Sequence, residues 1–261
     1  MAVMEQTDLS AMTALVLAGV RPSGDPFAER QGVIHKGLIV VAGKPILTRV
    51  CDALHDAGVG RVVVATNCDD VAALARANGA DVTPAQSGPS ATVGAALVAF
   101  GAPLLVTTAD HALLQGAWVR DFVADAAGEG DVSILLASRD VVERDVPGTQ
   151  RTWMRLADGH WTGCNLFLLR TEAAGRGIAM WSEVEANRKR PFRMASRLGW
   201  GTLVRFVLGR LSIKAMVARI GRQAGIDARI VAARDGRVAV DVDKEADLDL
   251  VRRLMQSEGR A

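Results

Sequence analysis

Apolar residues along this chain fall into short solid runs separated by stretches with helical spacing. Thr13–Leu17 (TALVL), Arg61–Thr66 (RVVVAT), Leu104–Thr107 and Val132–Ala137 are such runs. At that length, flanked by turn residues, they predict buried strands. Between them, Lys44–Ala57, Asp69–Asn78, Ala91–Phe100 and Trp118–Ala127 read as helices. In the first, Ile46, Leu47, Val50, Ala53 and Leu54 share one face, and Pro45 sits in the opening turn, where a missing N–H costs little. Later in the chain, Leu166–Leu169 predicts a strand entered through Thr162-Gly163-Cys164-Asn165. Ala228–Ala233 and Val238–Val242 predict two strands around an Asp235-Gly236 turn, and Lys244–Met255 a closing helix.

This alternation predicts right-handed βαβ units: an α/β fold with a mostly parallel central sheet and helices on both faces, forming one domain over residues 1–261. Sites in such sheets lie beyond the carboxyl ends of the strands. The loop after Leu17 and the residues after Thr107 both belong there. Hydrophobic residues make up 49% of the chain, enough for one large core. A net charge of +2 does not direct the whole molecule to nucleic acid. Cys51, Cys68 and Cys164 are odd in number and form no CxxC pair, which argues against a disulfide framework or zinc site and fits a reducing compartment. Met1–Ser10, with Glu5 and Asp8, does not read as a signal peptide. No apolar run approaches the roughly 18 residues of a membrane span. A cytoplasmic location is expected.

Three segments carry candidate chemistry. In Ala18-Gly19-Val20-Arg21-Pro22-Ser23-Gly24-Asp25, free backbone N–H groups can face phosphate oxygens, with Arg21 and the later Lys36 adding charge. The segment is neither GxxxxGK[ST] nor GxGxxG, and an ordinary βα loop is the alternative. Asp110 ends a buried run at the carboxyl edge, where a hard-oxygen ligand for Mg2+ or a helix cap would sit. In Asp241-Val242-Asp243, strand alternation would put two carboxylates on one face; N-capping of the last helix by Asp243 is the competing role.

The segments LAGVRPSGD and HKGLIVVAGKPILTRV together resemble the N-terminal signature of MobA-like nucleotidyltransferases. Leu17, Ala18, Gly19, Lys36, Gly43, Lys44 and Pro45 match the family pattern; Val20 stands where a second glycine is usual, so Arg21 arrives early. The likeness continues at Gly88-Pro89, Asp110, Gly163-x-Asn165 and Asp241-Val242-Asp243. It implies a GT-A type, Rossmann-like nucleotidyltransferase fold and Mg2+ held by Asp110 and Asp243. It also implies phosphate contacts from Leu17, Ala18, Gly19 and Gly24 with Arg21 and Lys36. Gly88, Pro89 and Ser90 would lie beside the nucleobase and ribose, and Asn165 would face the acceptor or ribose. The implied reaction moves an NMP from an NTP to a phosphorylated small acceptor and releases pyrophosphate. Molybdopterin guanylylation, a GT-A glycosyltransferase (which more usually shows D-x-D where this chain has Thr108-Ala109-Asp110) and a non-catalytic nucleotide sensor or membrane scaffold are the alternatives.

Residues 186–226 contain no Asp or Glu but carry many Arg and Lys among Phe192, Trp200, Phe206 and aliphatic residues. Three readings fit this basic helical insertion. It could dock peripherally on anionic membrane, at about 1 kcal/mol per basic residue near the surface. It could form a basic lid or dimer arm that holds the acceptor. Or it could be a helical insertion whose arginines snorkel. The basic apolar stretch tilts the expected product toward an activated headgroup for lipid or envelope synthesis, with CTP favoured as the donor. No nucleic-acid module accompanies the charge.

Overall fold

The computed structural model describes residues 8–20, 23–128, 130–186 and 209–258. The first half alternates as its pattern predicts. β1 (Thr13–Leu17), α1 (Pro26–Arg30), the short pair β2 (Val40–Val41) and β3 (Lys44–Pro45), α2 (Ile46–Asp56), β4 (Arg61–Thr66), α3 (Asp69–Ala77), β5 (Asp81–Pro84), α4 (Pro89–Phe100), β6 (Leu104–Thr108), α5 (Gly116–Asp125) and β7 (Val132–Ser138) follow one another. The second half runs α6 (Arg139–Asp145), β8 (Met154–Leu156), β9 (Gly159–Leu169), α7 (Ala174–Ala186), α8 (Ile213–Ala224), β10 (Ala228–Ala232) and α9 (Glu245–Glu258).

Among the described residues the main sheet has the order β10-β7-β9-β6-β1-β4-β5, with β8 added beside β9. β1 pairs in parallel with β4 and β6, β4 with β5, and β7 with β10. Among the described strands of this sheet only β9 runs the other way, antiparallel to β6, β7 and β8, and it separates β6 from β7. After β1 the chain builds outward through β4 and β5, then returns to place β6 on the other side of β1. The β1–β6 boundary is therefore a topological switch point, where the loops diverge and leave a crevice at the carboxyl edge.

Strand alternation sorts the core into two layers. Ala14 and Val16 of β1, Val62 and Val64 of β4 and Leu105 of β6 pack with α2, α3, α5, α6 and α9. Leu15, Val63, Leu104 and Val106 face the other way, onto α4 and α7. A smaller cluster joins Ile213 and Val217 of α8 to Leu136 and Ala228.

Three sequence expectations are corrected here. Lys44–Pro45 belongs to the short hairpin and Pro45 caps α2 instead of lying inside it. The strand expected at Leu166–Leu169 extends back to Gly159, because the earlier residues pair with β8 and the end of β7. Val238–Val242 is not a strand. Asp235 accepts from Arg237 N at 2.9 Å and starts a 3-10 turn, Gly236–Ala239, that packs on α6. A Cβ at Gly236 would lie 2.5 Å from Val141 O, so only glycine lets the two backbones meet. The chain then runs on to Asp243 outside any described strand ladder.

α8 is capped by Ser212, whose side chain accepts from Ala215 N at 3.3 Å. Ile213 and Val217 are buried against the sheet. Burying such side chains stabilises by about 1.5–3 kcal/mol each, more than one basic residue gains from a lipid surface. For residues 213–224 the apolar face is therefore taken up by the protein's own core, as in the snorkelling reading. Residues 187–208, the rest of the basic stretch, lie outside the described residues. No described helix is long and apolar enough to cross a membrane.

Candidate active site

The crevice at the β1–β6 boundary is built from backbone upward. Leu17 pairs with Thr108 across the two strands, and Leu17 O accepts from Ala109 N at 3.0 Å. The end of β1 and the approach to Asp110 are thus one rigid piece. Ala18 N donates to Ala65 O at 2.9 Å. Asn67, the residue that follows β4, then takes over from the sheet. Its Oδ1 accepts from Val20 N at 2.7 Å and its Nδ2 donates to Val20 O at 3.2 Å. The Ala18 and Val20 amides are therefore committed to the protein, and the sequence contained no local signal for the Asn67 clamp. Gly19 lies between them, where a Cβ would come within 3.2 Å of Ala85 Cβ. Gly24 takes φ +73° and Asp25 caps α1. Arg21 lies outside the described residues.

Lys36 opens a short 3-10 turn, Lys36–Leu38, that His35 starts by accepting from Gly37 N at 2.9 Å on Nδ1. Burial holds the His35 imidazole below its usual range, with Asp110 pulling the other way. From this turn Lys36 reaches Asp110 Oδ2 at 2.7 Å and also bonds Asp243 Oδ1. One ammonium joins residues 36, 110 and 243. Burial opposes its charge, but Asp110 and then Asp243 outweigh burial, so the Lys36 pKa is raised. Asp110 also accepts from Thr108 Oγ1 at 2.6 Å. Burial would raise its pKa, yet Lys36 and Thr108 outweigh that and hold it below the carboxylate range. Both stay charged at neutral pH. Asp110 caps no helix: α5 begins later and is capped at Gln115.

His111, next in sequence, is a core residue. Its Nε2 lies 2.8 Å from Val238 O, so the ring donates from that nitrogen. Burial pushes its pKa down to about 4, against the pull of Asp110.

Asp243 arrives from the other side. Val242 N donates to Asp110 O at 3.1 Å, tying the Asp241–Asp243 segment to the end of β6. Asp241 and Asp243 do not share a partner. Asp243 meets Lys36, whereas Asp241 accepts from Arg151 Nη1 at 2.5 Å and from Asn165 Nδ2 at 3.1 Å. Burial, then Asp243 and Asp110, push the Asp241 pKa up, and Arg151 opposes them. Asn165 takes φ +49°, a left-handed conformation that asparagine tolerates.

The Gly88–Ser90 segment forms the head of α4. Gly88 caps the helix and Pro89 opens it, so Ser90 is inside the first turn. Ser90 Oγ donates to Glu185 Oε2 at 2.6 Å, and a Cβ at Gly88 would come 2.6 Å from Glu185 Oε1. Glu185, from the far end of α7, thus covers the N-terminus of α4. Nothing in the local sequence pointed to Glu185 or Arg151.

Of the residues expected at the site, Leu17, Ala18 and Gly19 line the β1 end, and Lys36, Asp110 and Asp243 meet one another. Asn165 joins that group through Asp241, while Gly88, Pro89 and Ser90 stand at the head of α4. Among the described residues no group of three His, Cys, Asp or Glu side chains forms a metal cage. Two hard-oxygen carboxylates converging on one cation is a different donor set. It fits Mg2+, which takes one or two carboxylates and completes its shell with water and phosphate oxygens.

Comparisons with known proteins bear on the family and the fold. No curated protein sequence matches the chain. Over 90% of its length the chain superposes on 98% of a hypothetical transferase from Thermus thermophilus, at 34% identity and TM-score 0.77. The fold is shared more distantly with a nucleotidyl transferase from Methanothermobacter, at 18% identity and TM-score 0.58, covering 95% of this chain and 98% of that one. It is shared also with CMP:2-keto-3-deoxy-manno-octonic acid synthetase complexed with CTP, at 18% identity and TM-score 0.56, covering 95% and 99%. CTP:phosphocholine cytidylyltransferase from Streptococcus pneumoniae, at 12% identity and TM-score 0.59, covers 94% and 99%. The family model for the MobA-like NTP transferase domain matches residues 14–179, which hold both β1 and β6, and the chain belongs to that nucleotidyltransferase family.

Proposed function

We propose that this chain transfers a nucleoside monophosphate from an NTP, CTP foremost, to the phosphate of a small acceptor and releases pyrophosphate. The meeting of Lys36, Asp110 and Asp243 at the switch point carries the reading. An acceptor phosphate oxygen forms the new bond to the α-phosphorus, and the bond to the bridging oxygen of the leaving pyrophosphate breaks. The Gly19 amide and those around Gly24, with Lys36 and Arg21, hold the β- and γ-phosphates and stabilise the charge that builds on the leaving group. Asp110 and Asp243 would hold Mg2+, which supplies charge neutralisation at the α-phosphate when bound. Positioning and electrostatics do the work, so no Ser or Cys nucleophile is required. Cys51 and Cys164 are buried, and burial pushes both thiols up, Cys51 to about 11. That suits structural thiols.

Two fold neighbours act with CTP by their names, and CTP is the first nucleotide to test. A screen of the four NTPs against phosphorylated polyols, sugars and glycerate, read as pyrophosphate release, should find CTP with a phosphorylated acceptor. Turnover with GTP and molybdopterin alone would replace this reading with guanylylation. Mg2+-dependent nucleotide binding with no pyrophosphate from any pair would overturn catalysis. In this reading the acceptor yields a headgroup for lipid or envelope synthesis, and contact with the inner face of an anionic membrane falls to residues 188–208. Co-sedimentation with phosphatidylglycerol vesicles tests that contact; binding that is absent at low salt removes it.

A further inference from the structure

One buried cation beside the site takes no part in the reaction proposed above. Arg151 lies between α6 and β8, and its side chain is 6% exposed. One arm of its fork donates to Asp241 Oδ1 at 2.5 Å, and the other bonds Asp247 Oδ1, on a side chain 5% exposed. Asp247 passes the connection on, because its Oδ2 accepts from Asp243 N at 3.2 Å. Arg151 Nη1 also lies 3.4 Å from Ala239 O. Residues 239, 241 and 247 therefore converge on one guanidinium, and residue 243 hangs between the last two.

We propose that Arg151 is a positioning residue that holds the Ala239–Asp247 segment so that Asp243 reaches Lys36 and Asp110. Three observations carry this. First, the segment that delivers Asp243 has no strand ladder to hold it, and its described backbone tie to the sheet edge is the single Val242 N to Asp110 O bond. Second, two carboxylates on a planar fork fix direction as well as distance, which a lysine ammonium does not do. Third, buried ion pairs add little net stability over apolar packing and are best attested as devices that set register. Asn165 supports the arrangement from β9 by holding the second oxygen of Asp241. Asp241 is thereby an anchor for the segment, leaving Asp243 as the carboxylate presented to the crevice.

This rests on the reading that Asp243 helps hold the metal, and the test separates the two. The full chain is compared with Arg151→Lys, Asp243→Asn and the double variant. The readouts are Mn2+ affinity by electron paramagnetic resonance, the Mg2+ concentration for half-maximal pyrophosphate release, and Tm. Arg151→Lys keeps a charge and is the variant chosen to stay folded; Arg151→Met, which strands two carboxylates, is the harsher comparison. Arg151→Lys should weaken Mn2+ binding and raise the Mg2+ requirement, each by about tenfold, with a small change in NTP KM. In the Asp243→Asn background the same change should have no further effect on either metal readout, since the group being positioned is gone. A lower Tm with wild-type Mn2+ affinity and Mg2+ requirement in Arg151→Lys would make Arg151 purely structural and overturn the proposal. Equal effects of Arg151→Lys with and without Asp243 would overturn it too. If Asp243→Asn itself leaves both metal readouts unchanged, the metal assignment fails first.

Discussion

Asp110 and Asp243 meet on one lysine, yet the protein brings them there by opposite means. Asp110 follows a buried strand whose neighbours on both sides are set by backbone hydrogen bonds, and it is 16% exposed. Asp243 comes at the end of irregular chain, is 60% exposed, and depends on side chains far away in sequence. The difference separates a residue fixed by the fold from one fixed by a charged network. A sheet carboxylate stays put whatever its side chain does. A tethered one can be lost by breaking its tether.

The strongest break of that contrast is Asp110→Ala. It should lower pyrophosphate release by about 10²–10³-fold or more, on the scale of removing one preorganised electrostatic group from an active site. Because β6 is held by its own ladder, circular dichroism should show a folded protein. Near-normal turnover would sink the metal assignment at this position. Asp243→Ala should cost less, about tenfold to a hundredfold. Its greater exposure lets water and the nucleotide's own oxygens replace it more readily. Equal losses for the two variants would remove the asymmetry between the two carboxylates.

How much of this was legible in sequence follows the same division. β1, β4, β6 and β7 show as apolar runs because both faces of each are covered. The Lys36 and Asp110 positions could be read because each follows a local pattern at a strand end or in a family motif. Asn67, Arg151 and Glu185 could not. Their partners lie 47, 90 and 95 residues away, and no periodicity or spacing records such pairs. The Val238–Val242 segment misled for a related reason. Its alternation resembles a strand, but Asp235 diverts the chain into a 3-10 turn before pairing can begin. Asn165 donates its amide to Asp241, a partner 76 residues away that the Gly163-x-Asn165 motif does not record.

A third variant probes the phosphate loop, where both means operate in succession. Sheet pairing ends at Ala18, and Asn67 then holds both polar groups of the Val20 backbone. Asn67→Ala removes two hydrogen bonds worth about 0.5–1.5 kcal/mol each. It should raise the KM for NTP by about threefold to tenfold while kcat, which the proposed mechanism assigns to Lys36 and the carboxylates, changes less. An unchanged KM would mean that the nucleotide orders this loop without the clamp, and that Val20 sits comfortably where the family usually has glycine.

The smallest effect is expected at Glu185, where side-chain tethering touches a regular element. Its carboxylate sits at the N-terminus of α4, where the helix presents unpaired N–H groups and a partial positive charge. Glu185→Gln keeps the shape and an acceptor for Ser90 but removes the charge. The interaction of one charge with a helix end is about 0.3–1 kcal/mol, so Tm should fall by only a few degrees. The informative readout is the nucleotide. If the Gly88–Ser90 corner lies beside the base and ribose, loss of the charge should change the relative KM values of the four NTPs, while the Mg2+ requirement proposed to be set at Asp110 and Asp243 stays constant. A uniform change across all four would make Glu185 a helix-end tether alone. The corner would then be held in the manner of Asp243, by a distant side chain, without taking part in choosing the base.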